Sequence, residues 1–184
     1  WSSQYNVQHM DMNGNSELAV PQNTLGAELR QLENKQWEQI TLPHTPFVEP
    51  LTVLHQWQGI CYYKKKITIT PEEAKKHIWI EFEGAMHLAD VWINGKHVMQ
   101  HAGGYTPFVV DATGLLKTGK ENELLVRLDN RNNSLIPPGK PLETLDFCYY
   151  GGIYRNVHLI AKADVHITHP ILDGHPAGAG IFIT

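Results

Sequence analysis

From Trp37 onward the chain alternates short apolar runs with breaks marked by glycine, proline and asparagine. HIWIEFE (77–83) sets Ile78, Ile80 and Phe82 against Trp79, Glu81 and Glu83. That strict period of two predicts a strand with one apolar and one polar face. ICYYKKKITIT (60–70) predicts a second strand, whose lysines must reach solvent. In HLADVWINGKHVMQH the pair Asn94-Gly95 separates two apolar runs, and it suits the positive φ angles of a two-residue type I′ turn. WEQITL, FVVDAT, NELLVRLDN and IYRNVHLIAK read as further strands. LPHTPFVEPL (42–51) carries three prolines that keep it extended and away from a central sheet position.

No helical pattern competes with this series after residue 36. Repeated short strands at turn-punctuated spacing predict an all-β fold of antiparallel sheets, because two half-apolar sheets bury their faces only against each other. Within that class the expectation is a jelly-roll β-sandwich. It occupies 37–170. Residues 1–36 are polar and weakly patterned, and are expected to be loop with one short helix around LGAELRQLEN, packing on the sandwich. The Gly/Pro-rich DGHPAGAG and the apolar GIFIT after it, within 171–184, are expected to be a linker and the start of a following domain.

Charge and composition narrow the chemistry. The net charge of −4 comes from acids and bases scattered along the chain, which leaves no basic stripe for nucleic acid. No apolar run approaches the roughly 20 residues of a membrane helix, so no membrane partner is expected. Cys61 and Cys148 fit neither a disulfide framework nor a metal spacing. Among eleven histidines the nearest pair on one potential face is His97 and His101, but no HExxH or Cys/His cluster accompanies them, and no metal is expected. Walker, dinucleotide and Gly-x-Ser-x-Gly patterns do not occur, so no cofactor is expected. Glu81 and Glu83 lie side by side on one strand face, which suits solvation better than acid/base work across a substrate. Asn132-Asn133-Ser134 is a formal glycosylation sequon to which no function is assigned. Residue 1 is a tryptophan with no charged-then-apolar leader before it, so any signal peptide is expected to have been removed or to lie outside this sequence. The residues leave export undecided, and a periplasmic or secreted location is expected over a cytoplasmic one.

One stretch sets an acid among apolar neighbours shortly before a pair of glycines. In LDFCYYGGIYRNV (145–157), Asp146 stands before a turn that Gly151 and Gly152 permit. By parity Arg155 shares a strand face with Ile153, Val157 and Leu159, which predicts an inward guanidinium stitched to a neighbouring loop. On residue chemistry alone Asp146 reads first as a turn former, with an outward, functional carboxylate as the alternative.

The ordered series Trp37, LPHT (42–45), Gly59-x-x-Tyr62-Tyr63-Lys64-Lys65, VWINGKHV, GGYTPFVVDAT, NELLVRLDN and LDFCYYGGIYRNVHL resembles the amino-terminal sugar-binding domain of glycoside hydrolase family 2, the β-galactosidase, β-glucuronidase and β-mannosidase group. The resemblance implies a jelly roll followed by an immunoglobulin-like sandwich and a (β/α)8 barrel holding the catalytic glutamates of a retaining exo-β-glycosidase. A fragment without that barrel is expected to be inactive, and general likeness favours a β-galactosidase. The resemblance also implies that Asp146 projects into the barrel pocket and contacts hydroxyls of a terminal β-linked sugar, supported by Gly151, Gly152 and Arg155. Gln56 and Trp57, in the region from which some relatives send a second contact, are further candidates for substrate binding. A free-standing carbohydrate-binding module and a purely structural sandwich are the alternatives.

Overall fold

The computed structural model describes residues 2–6, 37–46, 57–148 and 150–173. Among them are nine strands: β1 (Ser2–Asn6), β2 (Glu38–Gln39), β3 (Ile60–Ile67), β4 (His77–Phe82), β5 (Leu88–Ile93), β6 (Lys96–Ala102), β7 (Phe108–Asp111), β8 (Asn122–Asp129) and β9 (Val157–Lys162). They form two antiparallel sheets, one of order β2-β1-β3-β8-β5-β6 and one of order β7-β4-β9. β1 pairs with both β2 and β3, so backbone that reads as loop in the sequence is a sheet strand. The helix expected around 25–34 and the GIFIT segment lie outside the described residues.

The core lies between the sheets. Cys61 and Tyr63 of β3, Ala89, Val91 and Ile93 of β5, and Leu124, Val126 and Leu128 of β8 face Ile78, Ile80 and Phe82 of β4 and Phe108 and Val110 of β7. Full burial of each large apolar side chain contributes about 1.5–3 kcal/mol. Phe82 and Phe108 stack with centroids 4.5 Å apart, and His101 stacks on the other side of Phe108 at 4.5 Å. The β5–β6 hairpin turns on Asn94 (φ 51°) and Gly95 (φ 79°), the type I′ geometry expected of that pair.

Two readings of strand faces change. A β-bulge between Val91 and Trp92 shifts the β6 register, so Trp92 pairs with His97 while Ala89 pairs with His101. The two histidines therefore occupy opposite faces of the sheet: His97 Nε2 lies 3.0 Å from Asp90 Oδ1, and His101 is in the core stack. The outer face of β4 is not simply solvated either. Trp79 is buried, with the rings of His166 and His169 edge-on at 5.1 and 5.5 Å. Glu81 Oε1 lies 3.6 Å from His169 Nε2.

The outer face of the larger sheet holds a buried charge network. Arg127 on β8 is paired across to Asp90 on β5, with Nη1 3.6 Å from Oδ2, and its Nη2 is 3.5 Å from Asp129 Oδ2. Arg131 completes the group by donating from Nε and Nη2 to the two Asp129 oxygens at 2.9 and 2.6 Å. Gln100 Nε2 donates to Asp90 Oδ1 at 2.9 Å. Such charges are tolerated in the interior only because each has an opposite charge or a hydrogen bond beside it.

Candidate functional site

At one end of the sandwich β8 finishes and β3 and β5 begin, with Ile60 and Leu88 both in register with Asp129. Four loop segments meet there: 57–59, 130–133, 141–146 and 150–154. Asn130, buried at the end of β8, joins the first to the second. Its Oδ1 accepts from Gly59 N–H at 2.7 Å, its Nδ2 donates to Trp57 O at 2.9 Å, and its own N–H donates to Gly59 O at 3.1 Å. The second joins the third through Asn132, whose Oδ1 accepts from Gln58 Nε2 at 2.8 Å and from Leu142 N–H at 3.1 Å.

Asp146 follows a 3₁₀ turn, Leu142–Thr144, whose last bond runs from Leu145 N–H to Leu142 O at 3.1 Å. Pro141 starts the turn with its O accepting from Thr144 Oγ1 at 2.8 Å. Leu142 and Leu145 are buried with Met86 and half-buried Tyr154 in a small apolar cluster, which anchors the turn. Asp146 itself is exposed. An exposed carboxylate immediately after an anchored turn can accept several hydrogen bonds from a polyol.

The return strand is fixed by close approach. Gly152 has φ +102°, and a Cβ there would lie 2.5 Å from Tyr63 Oη and 2.7 Å from His44 O. Its O accepts from Met86 N–H at 3.0 Å, while His44 N–H donates to Ile153 O at 2.8 Å. A Cβ on Gly151 would meet Asn130 Nδ2 at 2.7 Å and the Trp57 ring at 3.1 Å. Two glycines are thus required by packing as much as by turn geometry. Tyr154 Oη donates to Gly104 O, which ties this return to the loop before β7.

The structure corrects the inward orientation expected for Arg155, whose side chain is exposed. β9 starts only at Val157, after a bend at Arg155, so parity does not carry across from Ile153. Leu159 is 42% exposed because β9 is the outer strand of its sheet. The arginine runs past Gly84, where a Cβ would lie 3.2 Å from Cδ of Arg155. Trp57 is half-buried, its ring resting over Gly59 and Gly151. Gln56 lies outside the described residues.

Sequence reasoning missed Gln58, Asn130 and Asn132. The available signal was the polar run DNRNN directly after an apolar strand, where side-chain amides replace the ladder that the backbone has just left. Electrostatics around this end are set by burial. It pushes the His87 ring down to about 4, with the Asp129 charge acting weakly against it. Burial also lowers His44 and raises the phenols of Tyr105 and Tyr154. On the other sheet, the hydrogen bond from His158 holds the Glu83 carboxyl below its usual range, and Asn156 donates to the same carboxylate at 3.2 Å.

The jelly-roll sandwich thus carries at one end an exposed carboxylate after an anchored turn, beside loops that the amides of Gln58, Asn130 and Asn132 join. The chain belongs to glycosyl hydrolase family 2, whose sugar-binding domain profile matches residues 7–163. It is similar to a β-galactosidase of Thermoanaerobacter pseudethanolicus, 34% identical over 153 residues that cover 82% of this chain and 20% of that protein. A β-glucuronidase of Bacteroides fragilis is 38% identical over 135 residues, covering 70% of this chain and 18% of the relative. The solved Bacteroides uniformis β-glucuronidase superposes with a TM-score of 0.61 at 33% identity, over 70% of this chain and 15% of that one. The chain therefore spans about a fifth of the length of the relatives it matches.

Proposed function

We propose that this chain is the non-catalytic sugar-binding domain of a retaining exo-β-glycosidase that hydrolyses terminal β-glycosides, and that Asp146 is its contact with the glycone. The observation that carries the reading is the placement of Asp146: exposed, one residue beyond a buried leucine, on a turn anchored from both sides. A sugar hydroxyl pair needs an acceptor held in one place, since an acceptor that must be ordered on binding gives back in entropy what it gains in hydrogen bonding. Retaining hydrolysis needs two carboxyl groups about 5–5.5 Å apart across the glycosidic bond. Glu81 and Glu83 do not serve as that pair, because each is engaged by its own histidine. As the resemblance to glycoside hydrolase family 2 implies, the reacting groups belong to a (β/α)8 barrel, with an immunoglobulin-like domain between, and this domain completes their pocket. Relatives named as β-galactosidases and as β-glucuronidases both support a β-linked terminal sugar, a galactoside or a glucuronide.

The test is Asp146→Ala in the full-length protein, assayed on chromogenic β-galactoside and β-glucuronide. Loss of a charged hydrogen-bonding contact is expected to lower kcat/KM by roughly 100-fold or more with no change in Tm. Unchanged kcat/KM on every cleaved substrate would remove Asp146 from the site. Calorimetric titration of the 184-residue chain alone with the same sugars should show no useful affinity; micromolar to millimolar binding would instead identify a self-sufficient carbohydrate-binding module.

A further inference from the structure

Asn132 is a polar side chain whose single oxygen serves two loops at once. Its Oδ1 accepts from Leu142 N–H at 3.1 Å and from Gln58 Nε2 at 2.8 Å. Leu142 opens the 3₁₀ turn that ends immediately before Asp146, and the turn moves as a unit because its own bonds close it and Leu142 and Leu145 are both buried. Gln58 belongs to the segment that Asn130 clamps through Trp57 O and Gly59 N–H, and Gln58 Nε2 also reaches Asn130 O at 3.3 Å. A continuous chain of hydrogen bonds therefore runs from the end of β8 to the residue preceding the carboxylate.

We propose that Asn132 is a positioning residue for the sugar contact, fixing Asp146 through the backbone N–H of Leu142. The proposal rests on the reading of Asp146 as the glycone contact. Both partners of the Asn132 oxygen are donors, so position 132 requires an acceptor of the right length. This explains why asparagine stands there without reference to glycosylation, although it forms a sequon with Asn133 and Ser134. The chemistry is sensitive to such a support, since a misplacement on the order of 1 Å in a site costs about 100-fold in rate.

The experiment compares Asp146→Ala, Asn132→Ala, Asn132→Asp and the Asn132→Ala/Asp146→Ala double variant in the full-length enzyme, with kcat/KM and Tm for each. Asn132→Ala is expected to lower kcat/KM by about 10–100-fold. Asn132→Asp keeps the acceptor and should stay within about threefold of the parent. In the double variant the loss should equal that of Asp146→Ala alone, because a support has nothing left to position. A double variant that loses the product of the two single effects, or an Asn132→Ala enzyme within twofold of the parent, overturns the proposal while leaving the reading of Asp146 standing. A silent Asp146→Ala variant overturns both. Should Asn132→Ala not yield folded enzyme, Asn132→Ser carries the same expectation, its hydroxyl being too short to reach both donors.

Discussion

Arg127 is the bulkiest side chain fully buried among the described residues, and the strength of the β8 end depends on what faces it. Asp129 is its neighbour two residues on and also binds Arg131 through both oxygens. Asp129→Ala would leave a buried guanidinium with one fewer counter-charge, and is expected to cost about 3–5 kcal/mol in a urea titration of the 184-residue chain. A midpoint unchanged from the parent would show that the network is stabilised elsewhere. Strand β8 made this network partly legible in sequence, since Arg127 and Asp129 stand two apart and must share a face. Their partner Asp90 was not legible, because cross-strand neighbours depend on register and no local pattern fixes it. Asp146 was legible as a residue of interest only through the resemblance, its chemistry alone being that of any acid before a glycine turn.

Elements were read more securely than their faces. The strand-like runs from WEQITL to IYRNVHLIAK became strands β2 to β9, since alternation and the Asn-Gly turn are local signals. The errors arose where local parity was interrupted: the bulge at Val91/Trp92 that separates His97 from His101, and the bend at Arg155 that turns it outward. Burial of Trp79 was illegible for another reason, as the segment that covers it lies more than 80 residues further along the chain. The glycines give a test at this scale. Gly95 has a positive φ, and a Cβ added there would find nothing within 4 Å, so Gly95→Ala should cost only about 1 kcal/mol of backbone strain. Gly152 adds collisions with Tyr63, His44 and Pro46, all under 3.0 Å, and Gly152→Ala should cost at least twice as much. Equal urea midpoints for the two variants would mean that the return strand relaxes freely, contrary to the bonds its carbonyls accept from Met86 and His44.

At the scale of the whole molecule, buried histidines make the fold sensitive to acid. His87, His44 and His101 all have pKa values lowered by burial, His87 to about 4 from 6.5. A folded-state pKa below the unfolded value means that the unfolded chain takes up protons first as pH falls. For His87, stability is therefore full above about 6.5 and declines as pH drops toward 4, by about 3 kcal/mol in all. Glu83, held low by His158, acts in the same direction in a lower window: its contribution is present above 4.5 and is lost as pH falls through its depressed folded value. Urea midpoints should thus be flat from pH 8 to 7 and fall steadily below 6.5, and His87→Gln should shallow that slope by close to one proton. The placement of these rings gives the acid effect a direction within the fold. His44 clasps Ile153 through its backbone, and His87 begins the stretch that the Met86–Gly152 bridge ties down, so both border the end that carries Asp146. Relative to the intrinsic rate at each pH, hydrogen exchange at pH 5 should accordingly accelerate at the amides of His44 and Met86 more than at those of Val91 and Val126 in the central strands. Uniform acceleration would mean that acid loosens the sandwich as a whole, and that the candidate site has no weaker hold than the core beneath it.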